Sequence, residues 1–241
     1  MSGHNKWSTI KHKKAREDAK RGKIFTRLIR EITVAARLGG GDPDGNPRLR
    51  AAIQAAKGAN MPGDNIERGI KKGTGELEGV EYEEVMYEGY GPSGVAILVE
   101  AVTDNKTRTV ADVRHIFTKY GGSLAEPNAV AWQFTRVGNV LVNGESLDED
   151  EIMLAALEAG AEDVHKEENT FVIQTGSDQL FQVHQNLEAA GIECLEANLT
   201  YNAQNPLDVA EDKTAAVLRL LEALDDYDDV QQLHTNASLQ D

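Results

Sequence analysis

Apolar and polar positions repeat with the period of a helix over residues 13–38. At about 100° per residue the apolar side chains share one face, and most basic side chains share the opposite face. The apolar face is formed by Ile24, Leu28, Ile29, Ile32, Ala35 and Ala36. The basic face is formed by Arg16, Lys20, Lys23, Arg27, Arg30 and Arg37. The pattern predicts a helix buried along one side and positive along the other.

Two shorter helices are predicted after the glycine-rich loop that ends this first helix. Asn46 is placed to cap the second helix, which has Pro47 at its first position and runs to about residue 59. A third helix starts at Asp64, where Glu67 is typical of a capping box, and ends at Gly73. Three short helices with few apolar residues indicate a small N-terminal helical bundle.

Strand patterns begin after the bundle. Residues 82–90 and 95–103 predict two strands around a turn, and a helix follows over residues 106–120. Strand-like runs then cover residues 123–125 and 130–137. The turn holds the pattern G-x-G-x-x-G, which is typical of a dinucleotide-binding loop. Because a strand follows these glycines instead of a helix, the sequence argues against a bound nucleotide here.

From Gly138 the predicted order of elements is β-α-β-β-α-β, which is the ferredoxin-like arrangement. Its elements are predicted at residues 140–142, 148–159, 163–166, 170–174, 177–190 and 193–201. A helix over 206–224 and a strand over 230–235 then complete a second such unit that the first interrupts. The predicted fold is therefore α+β, with an N-terminal helical bundle plus two ferredoxin-like α/β domains, one inserted in the other. The predicted domains are residues 1–75, residues 76–137 plus 203–241, and residues 138–202.

Charge divides the chain near Gly75. The first 75 residues contain 17 Lys and Arg against 7 Asp and Glu, a net charge of +10, whereas the whole chain carries −15. Residues 76–241 therefore carry −25, and the overall pI of about 4.8 hides this division. Such asymmetry indicates a basic region with a polyanionic partner, attached to an acidic body.

Residues 3–14 precede the bundle and combine basic side chains with one aromatic, Trp7. Ammonium groups suit phosphates and an indole can stack on an unpaired base, while the alternative is that Trp7 docks this arm onto the bundle. His4 and His12 lack zinc-ligand spacing, so no metal site is predicted. The only cysteine, Cys194, is interpreted as a half-buried apolar residue in a reducing compartment.

Short motifs along the chain resemble a known family. They are Gly3-His4-Asn5-Lys6-Trp7, Ile10-Lys11-His12-Lys13-Lys14, Gly22-Lys23-Ile24-Phe25, Gly40-Gly41-Asp42-Pro43, Asn46-Pro47-x-Leu49-Arg50, Asn60-Met61-Pro62, Tyr87-Glu88-Gly89-Tyr90-Gly91-Pro92 and Tyr201-Asn202-Ala203. Together they resemble the YebC/PmpR family, which includes the mitochondrial translational activator of cytochrome c oxidase. The resemblance covers the whole chain and implies a helical N-terminal domain followed by two α/β domains.

The resemblance also implies a role in gene expression. Members are described as DNA-binding transcriptional regulators and as ribosome-associated translation factors that ease elongation through difficult stretches such as consecutive prolines. The predicted function is a non-enzymatic, nucleic-acid-binding regulator, in first place a DNA-binding transcriptional regulator, and the translation factor is the alternative. The expected partner of the N-terminal domain is DNA or ribosomal or transfer RNA, with the ribosome in the alternative.

Several absences shape this prediction. No Ser/His/Asp, Cys/His, zinc or phosphate-loop set is recognisable, so no enzyme activity and no cofactor are expected. The chain has no apolar run of membrane-spanning length and no apolar signal segment, so we expect a cytoplasmic protein without a membrane partner. No helix-turn-helix with a clear recognition helix is evident, which favours recognition of shape or of RNA. The predicted nucleic-acid-binding residues are Lys6, Trp7, Lys11, Lys13, Lys14, Arg16, Lys20, Arg21, Lys23, Arg27, Arg30, Arg48, Arg50, Lys57, Lys71 and Lys72.

Acidic residues fall into three groups outside the basic region. Residues 148–151 open a helix, where the helix dipole favours anions. The other groups, residues 81–88 and 225–229, are open to three interpretations. They are a solvated surface, or magnesium ligands as in nucleases, or acids that face the basic region and hold the domains together or repel stray phosphates. A metal-dependent nuclease is therefore the third hypothesis.

Overall fold

A computed structural model of the protein describes residues 21–144, 148–167 and 169–239. Within them, a three-helix N-terminal region is followed by mixed layers of helices and sheets, so the fold is α+β. The helices are α1 (Arg21–Gly39), α2 (Pro47–Gly58), α3 (Gly63–Gly73), α4 (Lys106–Lys119), α5 (Glu149–Ala159), α6 (Leu180–Ala189) and α7 (Glu211–Asp225). The strands are β1 (Glu83–Tyr90), β2 (Ala96–Thr103), β3 (Ser123–Leu124), β4 (Phe134–Asn143), β5 (Asp163–Glu167), β6 (Thr170–Gly176), β7 (Cys194–Ala203), β8 (Leu207–Val209), β9 (Val230–Thr235) and β10 (Ala237–Leu239).

Asn46 lies at the predicted N-cap of α2, and its side chain links α2 to α1 by hydrogen bonds. Its side-chain oxygen accepts the backbone N–H of Leu49 at 3.1 Å, which confirms the predicted N-cap. Its amide group donates to the carbonyl oxygens of Ala35 at 2.8 Å and Gly40 at 2.9 Å. Since the Asn46 side chain is buried, it satisfies backbone groups of both helices where water is excluded.

Helix α3 crosses α1 at very short range. A Cβ atom added to Gly73 would lie 2.4 Å from the carbonyl oxygen of Thr33, so only glycine fits. The Thr33 hydroxyl also donates to the carbonyl of Gly69 at 3.2 Å, one turn earlier in α3. The capping box predicted for this helix is wrong, because Pro62 occupies the N-cap position and Asp64 lies inside the first turn.

The region's small core explains why the helices approach so closely. It contains several alanines and few large side chains, so helix backbones meet at short distance. Its buried members are Ile32, Ala35, Ala36, Leu49, Ala52, Ala56, Met61 and Ile66.

A four-stranded sheet of order β3-β1-β2-β9 follows, and each neighbouring pair of strands is antiparallel. Strands β1 and β2 form the predicted hairpin, with Glu83 opposite Thr103 and Tyr90 opposite Ala96. Strand β2 directly follows the glycine-rich turn, in agreement with the argument against a nucleotide loop. Helices α4 and α7 contribute to the core of this sheet, whose largest buried members are Ile97, Phe117, Leu220, Leu221 and Leu224.

Two predictions for this part of the chain differ from the structure. The helix expected over 206–224 begins only at Glu211, because Leu207–Val209 forms β8, which pairs in parallel with β10. The element order is also β-β-α-β, followed after the insert by α7 and β9, so the first two strands form a hairpin. A ferredoxin-like unit has a helix between its first two strands, and the predicted outer domain differs from it in this respect.

The inserted segment has a sheet of order β5-β6-β4-β7 and its own core, which includes Val140, Ile152, Phe171, Ile173 and Leu187. Its elements follow one another as β-α-β-β-α-β.

In the insert, the structure confirms the predicted start of one helix and contradicts the predicted start of one strand. Asp148 caps α5 by accepting the backbone N–H groups of Asp150 and Glu151. The break expected at Gly138 is wrong, since β4 passes through it. A Cβ there would lie 2.6 Å from the Thr175 hydroxyl, so the glycine marks a close approach within a strand.

By compactness the chain divides into two units, one formed by residues up to Gln133 and from Ala203 onwards, the other by Phe134–Asn202. None of the described helices has the length and apolar character that a membrane span requires.

Candidate nucleic-acid interface

The basic face of α1 contacts the end of α7. Lys23 Nζ donates to the backbone carbonyl of Asp225 and lies 3.3 Å from the Asp226 carboxylate. Arg27 Nη2 donates to the same carbonyl and lies 3.2 Å from the Asp225 carboxylate. These acceptors sit at the C-terminal end of a helix, where unpaired carbonyls add partial negative charge to that of the carboxylates.

Arg30 continues this contact one turn further along α1. Its Nη1 lies 3.1 Å from the Asp229 carboxylate and also donates to the carbonyls of Asp228 and Val102. The guanidinium group lies over the ring of Tyr82, with 5.4 Å from its carbon to the ring centroid. We call the contact of Lys23, Arg27 and Arg30 with the acidic segment, residues 225–229, the clasp.

Asp229 is the centre of the clasp's polar network. Its buried carboxylate accepts hydrogen bonds from Thr109 at 2.7 Å, Arg108 at 2.8 Å and Thr103 at 3.1 Å, besides facing Arg30. Burial by itself raises the pKa of Asp229, but these hydrogen bonds and the charge of Arg30 outweigh it and lower the pKa below its usual range. Asp229 is therefore a charged, fully bonded acid at neutral pH.

Lys23 occupies the end of the clasp where the environment favours the charged form of the cation less. Burial, followed by the positive charge of Arg27, lowers the pKa of Lys23, although Asp225 and Asp226 act in the opposite direction. Among the residues that the structure describes, the Nε atoms of Arg27 and Arg30 are buried and find no hydrogen-bond partner. The clasp thus leaves part of the donor capacity of both guanidinium groups unused.

Arg48 in α2 is also paired with acids. Its guanidinium group is 2.7 Å from Glu31 of α1 and contacts Glu84 of β1. The hydrogen bond to Glu31 is the largest cause that raises the pKa of Arg48, and the bond to Glu84 adds to it. Arg48 therefore bridges the helical region and the first strand.

Other predicted binding residues are partly or fully exposed. Lys71 pairs with Glu67 one turn earlier, and Arg50 lies 3.5 Å from the carbonyl of Asp44. Among the residues the structure describes, four cations of the helical region have no acidic partner. They are Arg37, Lys57, Arg68 and Lys72.

Two of these four cations share a concave surface. A cavity of about 400 Å³ is lined by the last turn of α1, the end of α3 and residues 74–82. Arg37 and Lys72 line it together with the exposed side chains of Leu77 and Val80.

The remaining predicted residues lie outside the described part of the chain. They are Lys6, Trp7, Lys11, Lys13, Lys14, Arg16 and Lys20, together with the side chain of Arg21. Their assignment to nucleic acid stays a prediction.

The sequence did not identify the individual acids that contact α1. The clustering of Asp225, Asp226 and Asp229 was the available signal, and one interpretation of it was that these acids face the basic region.

The acidic groups are used within the fold. Buried Glu88 accepts the backbone N–H groups of Asn128 at 2.6 Å, Val130 at 2.7 Å and Ala131 at 2.8 Å. Glu83 pairs with Lys106. Over the described ranges, no three His, Cys, Asp or Glu side chains are arranged to hold a metal ion.

Cys194 is half-buried, as the sequence suggests. Burial raises the pKa of its thiol to about 11, so the thiolate is scarce at neutral pH.

These observations define a class of protein: an α+β protein that joins a helical region of basic sequence to acidic sheet-containing units. Residues 5–76 match the family model described as "TACO1/YebC protein N-terminal domain", and residues 82–237 match "TACO1/YebC second and third domain". The chain belongs to the TACO1/YebC family, which confirms the resemblance seen in its motifs.

Relatives cover the chain from end to end. A "Probable transcriptional regulatory protein" of Desulfatibacillum aliphaticivorans is 58% identical over 100% of this chain and 98% of its own length. Another of that name, from Persephonella marina, is 55% identical over 98% of this chain and 95% of its own. The crystal structure of a conserved hypothetical protein from Aquifex aeolicus is 48% identical, covers 94% of each chain and has a TM-score of 0.89.

Proposed function

We propose that this chain is a non-enzymatic, cytoplasmic regulator of transcription that binds DNA through its N-terminal helical region. The observation that carries the proposal is the net charge of +10 on the first 75 residues beside −25 on the rest. A cationic region of this size attracts phosphates, and an acidic body of opposite sign does not. The name shared by the relatives supports a role in transcription.

We infer which cations would contact the nucleic acid from the acidic partners that each cation has. Lys23, Arg27, Arg30 and Arg48 contact acids of the same chain, whereas Lys57, Arg68 and Lys72 have no acidic partner in the described residues. We therefore assign the first contacts with phosphates to α2, to α3 and to the basic arm of residues 3–14. The absence of an enzymatic role is supported by the structural use of the acids, which cap helices and pair with cations.

The test is the affinity of the full-length chain for a short labelled DNA duplex at several salt concentrations. If about 6 phosphates are neutralised, the slope of log affinity against log salt is near −5. The variant Lys57→Gln with Arg68→Gln and Lys72→Gln should bind more weakly, with a slope that is less steep by up to about 3.

The matched control changes three cations of the acidic body, Lys106→Gln, Lys119→Gln and Lys213→Gln. This control alters the net charge by the same amount and should retain most of the affinity. Equal losses of affinity in both variants would contradict the assignment of binding to the helical region. If the wild-type chain binds no nucleic acid, the proposed function is wrong.

A translation role is the second candidate. The observation in its favour is that the unpaired cations are spread over three helices, which suits recognition of RNA shape better than insertion of one recognition helix into a DNA groove. Cosedimentation with ribosomes on a sucrose gradient, lost in the triple variant of α2 and α3 and kept in the control, supports this candidate. Crosslinking to DNA without cosedimentation supports transcription.

We also propose the domain division predicted from sequence, with domains at residues 1–75, 76–137 plus 203–241, and 138–202. The family models support a boundary between residues 76 and 82. The order β-α-β-β-α-β of the insert supports its assignment as ferredoxin-like.

A further inference from the structure

The clasp holds cations that have the spacing and chemistry of a phosphate-binding face. Lys23, Arg27 and Arg30 follow one another at intervals of four and three residues, so they project from one side of α1. Their acceptors in the acidic segment are carboxylates and backbone carbonyls at the end of a helix. These oxygens carry negative charge of the kind that a nucleic-acid backbone also offers.

The clasp is tight at one end and open at the other. The side chains of Arg30 and Asp229 are 12% and 4% exposed, whereas those of Lys23 and Asp226 are 20% and 61% exposed. The side chains of Arg27 and Asp225 are 20% and 15% exposed. The Lys23–Asp226 pair is the most exposed of the three and contributes little stability, so the clasp separates at lowest cost from this end.

The clasp also satisfies Lys23 and Arg27 incompletely. Within the described part of the chain, Arg27 Nε is buried without a hydrogen-bond partner, and the bonds from Arg27 to Asp225 are made through Nη2. A phosphate offers two oxygens to the fork of a guanidinium group, which is the stronger arrangement. Lys23 is held where burial lowers its pKa, so an added anion would stabilise its charged form.

We propose that the acidic segment occupies a phosphate-binding face of α1 in the free protein, and that a nucleic-acid backbone replaces Asp225 and Asp226 at Lys23 and Arg27. Arg30 stays bonded to Asp229 and keeps α1 attached to the body. This proposal rests on the proposed function, since it concerns the same nucleic acid. It adds a second, concealed group of contacts to those of α2 and α3, and it makes the acidic segment an internal competitor that weakens non-specific binding.

The test removes the two carboxylate charges of the competitor without changing a cation, and it leaves the Asp225 backbone carbonyl in place. The full-length variant Asp225→Asn with Asp226→Asn is titrated with a short labelled DNA duplex and with a short labelled single-stranded RNA. We expect it to bind roughly 2- to 30-fold more tightly than wild type, the range that two ion pairs near the surface provide. Adding Lys23→Gln and Arg27→Gln to this variant should abolish the gain.

A matched control neutralises two exposed acids of the same unit, Glu126→Gln with Asp208→Asn, and so changes the net charge equally. A gain in the clasp variant that exceeds the gain in this control supports the proposal. Equal gains, or a gain that survives the loss of Lys23 and Arg27, overturn it while the proposed function stands. No binding by wild type and by the clasp variant overturns both.

Folding of each variant is checked by its unfolding transition. Asp226→Asn alone is the milder version, because that side chain is 61% exposed. This single variant should show a smaller gain in affinity in the same direction. A loss of affinity in a fully folded Asp226→Asn protein counts against the competition.

Discussion

Asp229 shows how one buried acid links the helical region to the body. We predict that Asp229→Asn lowers the free energy of unfolding by about 3 kcal/mol, because it leaves Arg30, whose side chain is only 12% exposed, without its counter-charge. Far-ultraviolet circular dichroism during urea unfolding measures the change. Asp228→Asn is the control, since its exposed carboxylate is not part of the network, and it should change stability by less than about 0.5 kcal/mol.

The effect of Asp229 should depend on pH. Its pKa in the folded protein lies below the unfolded value of about 3.9, so its contribution is present above that pH and is lost as the pH falls through the folded pKa. The difference between wild type and Asp229→Asn should therefore be largest at neutral pH and shrink in acid. A difference that stays constant down to strongly acidic pH would argue that shape, and not charge, explains the variant.

At the residue scale, the sequence predicts on which face of a helix a side chain lies better than it predicts which residues that side chain contacts. Periodicity places Lys23, Arg27 and Arg30 on one face of a helix, and that face is observed. The acids they contact lie about two hundred residues further on, and local periodicity carries no information on contacts at that separation. For the same reason a face that looked free for nucleic acid is in contact with the chain's own acids.

Among the elements, the contact of α3 with α1 depends on Gly73. We predict that Gly73→Ala is destabilising by about 1–3 kcal/mol, since the new methyl group would meet the Thr33 carbonyl and push the two helices apart. Far-ultraviolet circular dichroism during urea unfolding measures the change. Gly58→Ala at the end of α2 is a matched control with open space around the added methyl group, and it should be neutral or slightly stabilising. Equal effects would show that helix propensity dominates.

Element boundaries were predictable where a local signal decides them. Asn46 with Pro47, the β1–β2 hairpin and the start of α5 at Asp148 follow from capping and turn chemistry. Predictions failed where tertiary contacts decide the outcome. Leu207–Val209 becomes a strand because β10 pairs with it, and Gly138 sits inside β4 because β4 pairs with β6 through this position.

On the scale of the whole molecule, the insert has a core of its own. We predict that residues 134–202 expressed alone fold and unfold cooperatively in urea, as followed by far-ultraviolet circular dichroism. The segment has about 70 residues, which is near the lower limit for a domain that folds alone, so its stability should be modest. A segment shortened to residues 134–176 lacks α6 and β7 and should show no transition. A non-cooperative melt of the longer segment would contradict this expectation.

The hydrogen bond from Gln204 N–H to the Gln133 carbonyl, at 2.8 Å, joins the two points where the chain leaves and re-enters the outer unit. Strand β9, which pairs with β2, comes only after the insert in the chain. Closing a flexible loop of about 70 residues costs roughly 4 kcal/mol of chain entropy. An insert that has already folded reduces this cost by restricting the chain between its ends, so the order of folding events favours the insert first and the outer sheet last.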